Sequence, residues 1–240
     1  MSITSMPRTR HLYRFDSIIA PHDLSGVADR ALPIIGQLAR RGSLGVRLVT
    51  TSSPGLDPTV DRNDLAMHAR RINGWPVTPV VLESNDPAEE LAEFADRHSG
   101  ALICLASHAR NAIGELFIGS MTDELLRRHR GPILIVGPRV DPHVELGDDL
   151  IVGLDDFARH TSLLDVAKAW KSTFGGTVDE FEVPEACDPV DVLVDTARQT
   201  RGIIAVASHL RRGFDRARRG SVSWDLIRRS PTPVLVVPGQ

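Results

Sequence analysis

Residues 101–137, ALICLASHARNAIGELFIGSMTDELLRRHRGPILIVG, recur without a gap as residues 202–238, GIIAVASHLRRGFDRARRGSVSWDLIRRSPTPVLVVP, at a constant offset of 101. In each copy an apolar run ends in Ala-Ser-His, beginning at Ala106 and Ala207. A Gly-Ser pair follows at Gly119 and Gly220, then a leucine at Leu125 and Leu226, then a proline at Pro132 and Pro233 that opens a second apolar run. Self-similarity held in one register marks a repeated structural unit. A chain of 240 residues is long enough for one large domain or two small ones, and the repeat selects two.

Upstream the match loosens. Asp86-Pro87 and Asp188-Pro189 both open expected helices near the same offset, and DSIIAPHDLS near residue 16 resembles DLIVGLDDFA near residue 149. Asp155 then stands in the place of Asp23, at an offset of 132. The fall from 132 to about 101 means that the second copy lacks roughly one strand and one helix before Asp188. Two domains are expected, over residues 1–140 and 148–240, with the boundary in the polar, proline-containing stretch from Arg139 to Asp149.

Within the first copy, short apolar runs alternate with amphipathic stretches. Strands are predicted at Ser17 to Ala20, Val46 to Thr50, Val77 to Leu82, Ala101 to Ala106 and Ile133 to Val136. Helices are predicted at Val27 to Arg40, kinked at Pro33, and at Thr59 to Ile72, Pro87 to His98 and Ser120 to Arg130. Continuously apolar strands joined by helices imply a parallel sheet covered on both faces. The fold class is therefore α/β, with two doubly wound domains in tandem and the second truncated. Such sheets take ligands outside the carboxyl ends of their strands.

Composition sets outer limits. With 42% hydrophobic and 25% charged residues the chain is globular, and no apolar run is long enough to span a membrane. With 28 basic and 31 acidic residues, the net charge of −3 provides no field that would collect nucleic acid or an anionic membrane. Cys104 and Cys187 lack metal-type spacing, and the first residues lack the apolar stretch of a signal peptide, so a cytoplasmic location is expected.

The sharpest functional signal is the loop Ala106-Ser107-His108-Ala109, nine residues, then Gly119-Ser120. It leaves a strand and ends where a helix begins. A helix N-terminus exposes unpaired N–H groups and a positive dipole end, and a Gly-Ser there admits a phosphate closely and adds a hydroxyl donor. The same residues also suit a plain helix cap, with Ser120 capping and Asp123 as its partner. The residues alone leave both readings open.

This pattern resembles the universal stress protein family, in which an aspartate at the end of the first strand accompanies a loop of the form Gly-x2-Gly-x9-Gly-(Ser/Thr). Pro21-His22-Asp23-Leu24-Ser25 resembles the family's first strand end, and Ala106, Ala109, Gly119 and Ser120 fall at the four loop positions. In the second copy Asp155 takes the aspartate position, and Ala207, Leu210, Gly220 and Ser221 take the loop positions. The resemblance implies Rossmann-like domains of the adenine nucleotide alpha hydrolase type. It also implies a stress-response regulatory or binding module, with ATP or another adenine nucleotide, alone or with magnesium, as its expected cofactor. By the same resemblance Pro21, His22 and Asp23 line the adenosine end, Val49 touches adenine, Leu105, Ala106, His108 and Ala109 lie along ribose and phosphate, and Gly119, Ser120, Met121 and Thr122 hold the phosphate end.

Two loop glycines of the family pattern are alanines here. A residue forced to positive φ costs about 1–2 kcal/mol once it carries a Cβ. Losing one charge-assisted hydrogen bond at Ala109, about 1.5–3 kcal/mol, weakens phosphate binding by roughly ten- to a hundredfold. Leu210 is bulkier still, so the second copy is expected to be a poor, degenerate site. Its loop carries Arg211, Arg212, Arg216, Arg218 and Arg219, which suit a solvated surface, phosphates held electrostatically or an acidic partner.

Other constellations are weaker. Ser-His neighbours at His108 and His209 rarely attain the mutual geometry of a nucleophile and its base, and no third partner stands out. His22-Asp23 has no second ligand pair at helical or turn spacing, so no metal site is expected. Asp155-Asp156 suits a magnesium ion, but paired acids in a turn are more often solvated caps. No catalytic residue is assigned: a purely structural interaction protein is the competing reading, and slow ATP hydrolysis lacks a general base. The last strand of each copy is short, apolar and flanked by proline, and is expected to join the halves as an intramolecular pseudo-dimer. A homodimer is compatible with the sequence, and so is an unidentified regulatory protein partner.

Overall fold

A computed structural model describes residues 14–72, 74–107, 120–154, 161–182, 187–208 and 222–238. The first half runs β1 (Ser17–Pro21), a 3-10 turn (Ala28–Ala31), α1 (Leu32–Gly42), β2 (Gly45–Ser52), α2 (Pro58–Ala69), a second 3-10 turn (Arg70–Ile72), β3 (Val77–Glu83), α3 (Pro87–Asp96), β4 (Ala101–Ala106), α4 (Ser120–Arg128) and β5 (Ile133–Val136). The second half runs β6 (Leu150–Leu154), α5 (Thr161–Phe174), β7 (Val178–Glu182), α6 (Pro189–Thr200), β8 (Ile203–Ser208), α7 (Val222–Arg229) and β9 (Val234–Pro238). It is a shorter copy in which the α2–β3 unit has no counterpart among the described elements.

The strands form one nine-stranded sheet in the order β3-β2-β1-β4-β5-β9-β8-β6-β7. Every neighbouring pair is parallel except β5 and β9, which run antiparallel with Leu134 opposite Leu235. The continuous apolar runs now have a physical explanation. Alternate residues of a strand point to opposite faces, so Leu102, Cys104 and Ala106 enter one core while Ala101, Ile103 and Leu105 enter the other. The first core is covered by α1 and α5, with Leu65 of α2. The second is covered by α3, α4, α6 and α7. Cys104 is fully buried, and burial pushes its thiol well above the usual range, so it acts as a small core residue.

Helix starts follow local chemistry. Asp57, Asp86 and Asp188 each precede a proline in the first turn and accept a backbone N–H, from Thr59, Glu89 and Val190 respectively. The proline forgoes a donor that would be orphaned there anyway. The same logic corrects the kinked helix expected over Val27 to Arg40. The α-helix begins at Leu32, so Pro33 lies in its first turn, and the preceding residues form the separate 3-10 turn. Among the described residues no helix is long and apolar enough to cross a membrane.

The halves are tied by more than the sheet. Phe15 before β1 packs edge-on against Trp170 of α5 with centroids 5.9 Å apart, and lies 5.8 Å from Phe174. The chain between β5 and β6 is held along α1. Arg30 donates to the carbonyls of Pro138 and Val140 at 3.0 and 2.8 Å, and Gln37 both donates to Val144 and accepts from Leu146. Arg41 donates to Gly147 and pairs with Asp148. Gly137 backs directly onto the Ile227 carbonyl of α7, leaving no room for a Cβ.

Leu134 and Leu235 are fully buried at the junction. Leu235→Ala is expected to destabilise the chain by about 2–5 kcal/mol, the range for truncating a core leucine, read by urea denaturation. A loss below about 0.5 kcal/mol, the size of an ordinary surface substitution, would show that the junction does not support the fold.

Candidate functional site

In the first half the strand order reverses between β1 and β4, the place where open α/β sheets leave a crevice at their carboxyl ends. Three adjacent strands, β2, β1 and β4, end there with polar residues: Ser52, the His22-Asp23 pair and Ser107. Ser52 and Ser107 are buried, and neither hydroxyl has a hydrogen-bond partner among the described residues. Such orphaned groups are uncommon in protein interiors and call for an explanation.

Several expected ligand residues lie in this region. Pro21 is half-buried and Asp23 is exposed, with its Oδ1 accepting from the Ser25 N–H at 3.0 Å in a tight local turn. Ser120 is exposed at the start of α4, Met121 is half-buried, and Thr122 is buried. Leu105 and Ala106 are buried within β4, paired with Ile135 and Val136, so they present backbone rather than side chain. Val49 lies in β2 with its side chain wholly inside the core, and its carbonyl accepts the His22 N–H at 2.8 Å. His108, Ala109 and Gly119 lie outside the described residues, as do Asp155, Leu210, Gly220 and Ser221 of the second half. There, Ala207 is half-buried at the end of β8.

Beneath the Asp23 turn lies a polar cluster that spacing along the chain does not reveal. Asp29, 8% exposed, accepts from three cationic or ring groups. His22 Nε2 is 3.2 Å from Oδ1, His68 Nδ1 is 2.6 Å from the same oxygen, and Arg71 Nη1 is 2.7 Å from Oδ2. The two imidazoles lie 4.5 Å apart. A buried carboxylate needs such partners, because desolvation is otherwise prohibitive. The available signal was a lone acidic residue, Asp29, inside the apolar stretch VADRALPII. Besides His22, seven positions before it, its partners come from α2 and the following 3-10 turn, 39 or more positions away.

The tautomer of His22 follows from its neighbours. The Leu24 N–H points at Nδ1 at 3.0 Å, so Nδ1 carries the lone pair and Nε2 carries the proton that Asp29 accepts. Burial, followed by the His68 charge, lowers the His22 pKa below the ordinary 6.5, although the Asp29 hydrogen bond opposes them. His22, Asp29 and His68 place their ligand atoms within 4.8 Å of one another, a spacing compatible with a metal ion. The hydrogen bonding argues otherwise: His22 Nε2 has no free lone pair while Nδ1 accepts from Leu24. The 2.6 Å His68–Asp29 separation is also a hydrogen-bond length, shorter than the about 3.4 Å between ligands of a tetrahedral site with bonds near 2.1 Å. The arrangement is a hydrogen-bonded triad closed by an arginine.

At the other end of the sheet, an open surface depression lined by Gln37, Arg40, Arg41, Leu146 and Asp148 is crossed by the Arg41–Asp148 pair. It is bordered by the last turns of α1, which runs back from the carboxyl ends, and so is no part of the crevice.

The model of the universal stress protein family matches residues 14–137 and again residues 141–238. Among solved structures, a universal stress protein from Archaeoglobus fulgidus DSM 4304 is similar at 17% identity and a TM-score of 0.66, over 95% of this chain and 98% of that one. A functionally unknown protein from Pseudomonas aeruginosa PAO1 is similar at 16% identity and a TM-score of 0.64, over 95% of this chain and 94% of that one. At these identities the likeness to the two structures concerns the fold. No curated protein is significantly similar in sequence.

A second buried histidine gives the protein an acid-sensitive core. His129, just after α4, donates from Nδ1 to Asp96 at 2.8 Å while its buried Nε2 has no partner among the described residues. Burial lowers its pKa against the pull of Asp96. For His129 and His22 alike the unfolded chain takes up the proton near 6.5, where the folded chain does not. Stability is therefore full above neutrality and falls as pH drops below about 6.5, by at most about 1.4 kcal/mol per pH unit for each group. The melting temperature should fall between about pH 7.5 and about pH 5.5, and His129→Asn, which keeps a donor for Asp96 without titrating, should flatten the slope. An unchanged slope in that variant would remove His129 from the account.

Proposed function

This chain belongs to the universal stress protein family, and we propose that it is an adenine-nucleotide-responsive binding module whose first half carries the ligand. The observation that supports this most directly is the pair of hydroxyls, Ser52 Oγ and Ser107 Oγ, that have no partner among the described residues and lie at the ends of the strands either side of the one that leads to Asp23. A nucleotide supplies what these groups lack. Its sugar hydroxyls and phosphate oxygens accept from serine hydroxyls, and the Asp23 carboxylate accepts from a ribose O–H. The N-terminus of α4, nine residues long and opening at the exposed Ser120, adds a positive dipole end for the phosphates. Magnesium would accompany the phosphates rather than sit in a protein cage. The role is recognition, since no residue here is assigned as a base for hydrolysis.

The second half is the weaker candidate. Leu210 stands at a loop position where the family pattern has glycine, and the α2–β3 unit, which flanks the β1–β2 side of the first site, has no counterpart among the described elements there. Its part is to pair with the first half. The alternative, a protein-interaction module without nucleotide, draws its support from Leu56, Val60 and Met67, apolar residues 62%, 63% and 64% exposed on or just before α2. A further homodimer or a regulatory protein would meet the chain on such a surface.

Titration calorimetry with ATP, ADP and AMP, with and without magnesium, separates these readings. Heat and a thermal shift are expected, with Asp23→Ala abolishing both and Asp155→Ala leaving them intact. Ser107→Ala should weaken binding while leaving the free protein as stable as before or up to about 1–3 kcal/mol more so, because it removes an unsatisfied buried hydroxyl. No response at nucleotide concentrations of about 1 mM, equivalent to affinities weaker than about −4 kcal/mol, would end the nucleotide reading and leave the interaction module.

A further inference from the structure

The turn that carries Asp23 hangs on one imidazole. Leu24 has a φ of 61°, in the left-handed region that a side chain bearing a Cβ enters only under compensation. The compensation is the hydrogen bond from its N–H to His22 Nδ1. From there the local bonds run on: Ser25 N–H to Asp23 Oδ1, then Ala28 N–H to Ser25 Oγ at 3.2 Å, into the 3-10 turn that holds Asp29. Asp29 closes the circuit on the other nitrogen of the same ring.

The His22 side chain has no exposed surface, so its Nδ1 has no route to water. The charged and titratable groups around it are Asp29 from the first 3-10 turn, His68 from α2, Arg71 from the second 3-10 turn, and Asp23 from the turn itself. Asp29 is already committed to His68 and Arg71, which limits its capacity to hold a second positive charge on His22.

We propose that His22 is a positioning residue and an acid-sensitive latch for Asp23: the neutral ring holds the Leu24 N–H, and uptake of one proton at Nδ1 sets donor against donor and releases the turn. The direction agrees with the burial that keeps the ring neutral at pH 7 and confines the change to pH below 6.5. Among the described residues the latch belongs to the first half, because His68 and Arg71 lie in the segment between β2 and β3, which has no counterpart among the described elements of the second half. The consequence for ligand affinity rests on the nucleotide reading above; the latch itself does not.

The full chain, isotopically labelled and free of nucleotide, is followed by NMR between about pH 7.5 and about pH 5.5, with hydrogen-exchange protection of the Leu24 and Ser25 amides as the readout. Protection should be lost together with the titration of the His22 ring. His22→Asn, whose Oδ1 offers an acceptor near the Nδ1 position but does not titrate, should retain it. ATP calorimetry over the same range should show affinity about tenfold weaker at the acid end for the natural sequence, and no such drop for the variant. Leu24 protection that stays constant while His22 titrates overturns the latch, and so does an equal acid loss in His22→Asn. Should that variant fail to fold, the natural protein's NMR profile decides alone. Opening of Leu24 without any ATP heat leaves the latch standing and sinks the nucleotide reading. A one-to-one gain of thermal stability with zinc that needs His22 and His68 would make the cluster a metal site and overturn the proposal.

Discussion

The antiparallel pairing of β5 with β9 is the constraint on which the rest of the molecule depends. Each half by itself would end in a short strand of entirely buried apolar residues, Ile133 to Val136 or Val234 to Val237, with one side unpaired. A bare apolar edge of that kind is a template for aggregation. Joining the two edges satisfies both backbones and fuses what would be two small cores into continuous ones on either face of the sheet. Once that register is set, α1 and α5 come together. The Phe15, Trp170 and Phe174 rings then fill the space between them, and the connecting chain is laid along α1 by Arg30, Gln37 and Arg41.

The outer edges, left over when the inner ones pair, are protected differently. The β3 edge carries Pro79, which withholds a ladder donor, and the β7 edge is the acidic run Val178-Asp179-Glu180-Phe181-Glu182. The sheet is therefore finished at nine strands. The exposed apolar residues on and beside α2 lie away from these edges, on a helical face.

The loss of the α2–β3 unit makes the two halves unequal in chemistry as well as length. That unit brings His68 and Arg71 against Asp29, and Asp29 in turn fixes the ring that supports Leu24 and the Asp23 turn. Among the described elements, the second half thus lacks one edge strand and one covering helix. The first half keeps the hydrogen-bonded Asp23 turn and, at the neighbouring strand ends, two buried hydroxyls without a partner among the described residues.

Much of this was legible in the chain itself. The 101-residue offset divided the sequence in two, and runs of uninterrupted apolar residues marked strands covered on both sides. Asp-Pro pairs marked helix starts, because capping and the loss of one N–H are local effects. Pro33 was misjudged only because a helix boundary one turn later turns an interior proline into a first-turn one. The cluster around Asp29 was invisible, since its members come from two 3-10 turns, a strand end and a helix, and nothing in their spacing links them. What the sequence alone determined is the repeat, the alternation of strand and helix, and the aspartate at the end of the first strand. Only the tertiary structure decided the antiparallel join, the tautomer of His22 and the bracing of Asp23, because each depends on groups brought within about 3 Å hydrogen-bond range by the packing of the sheet.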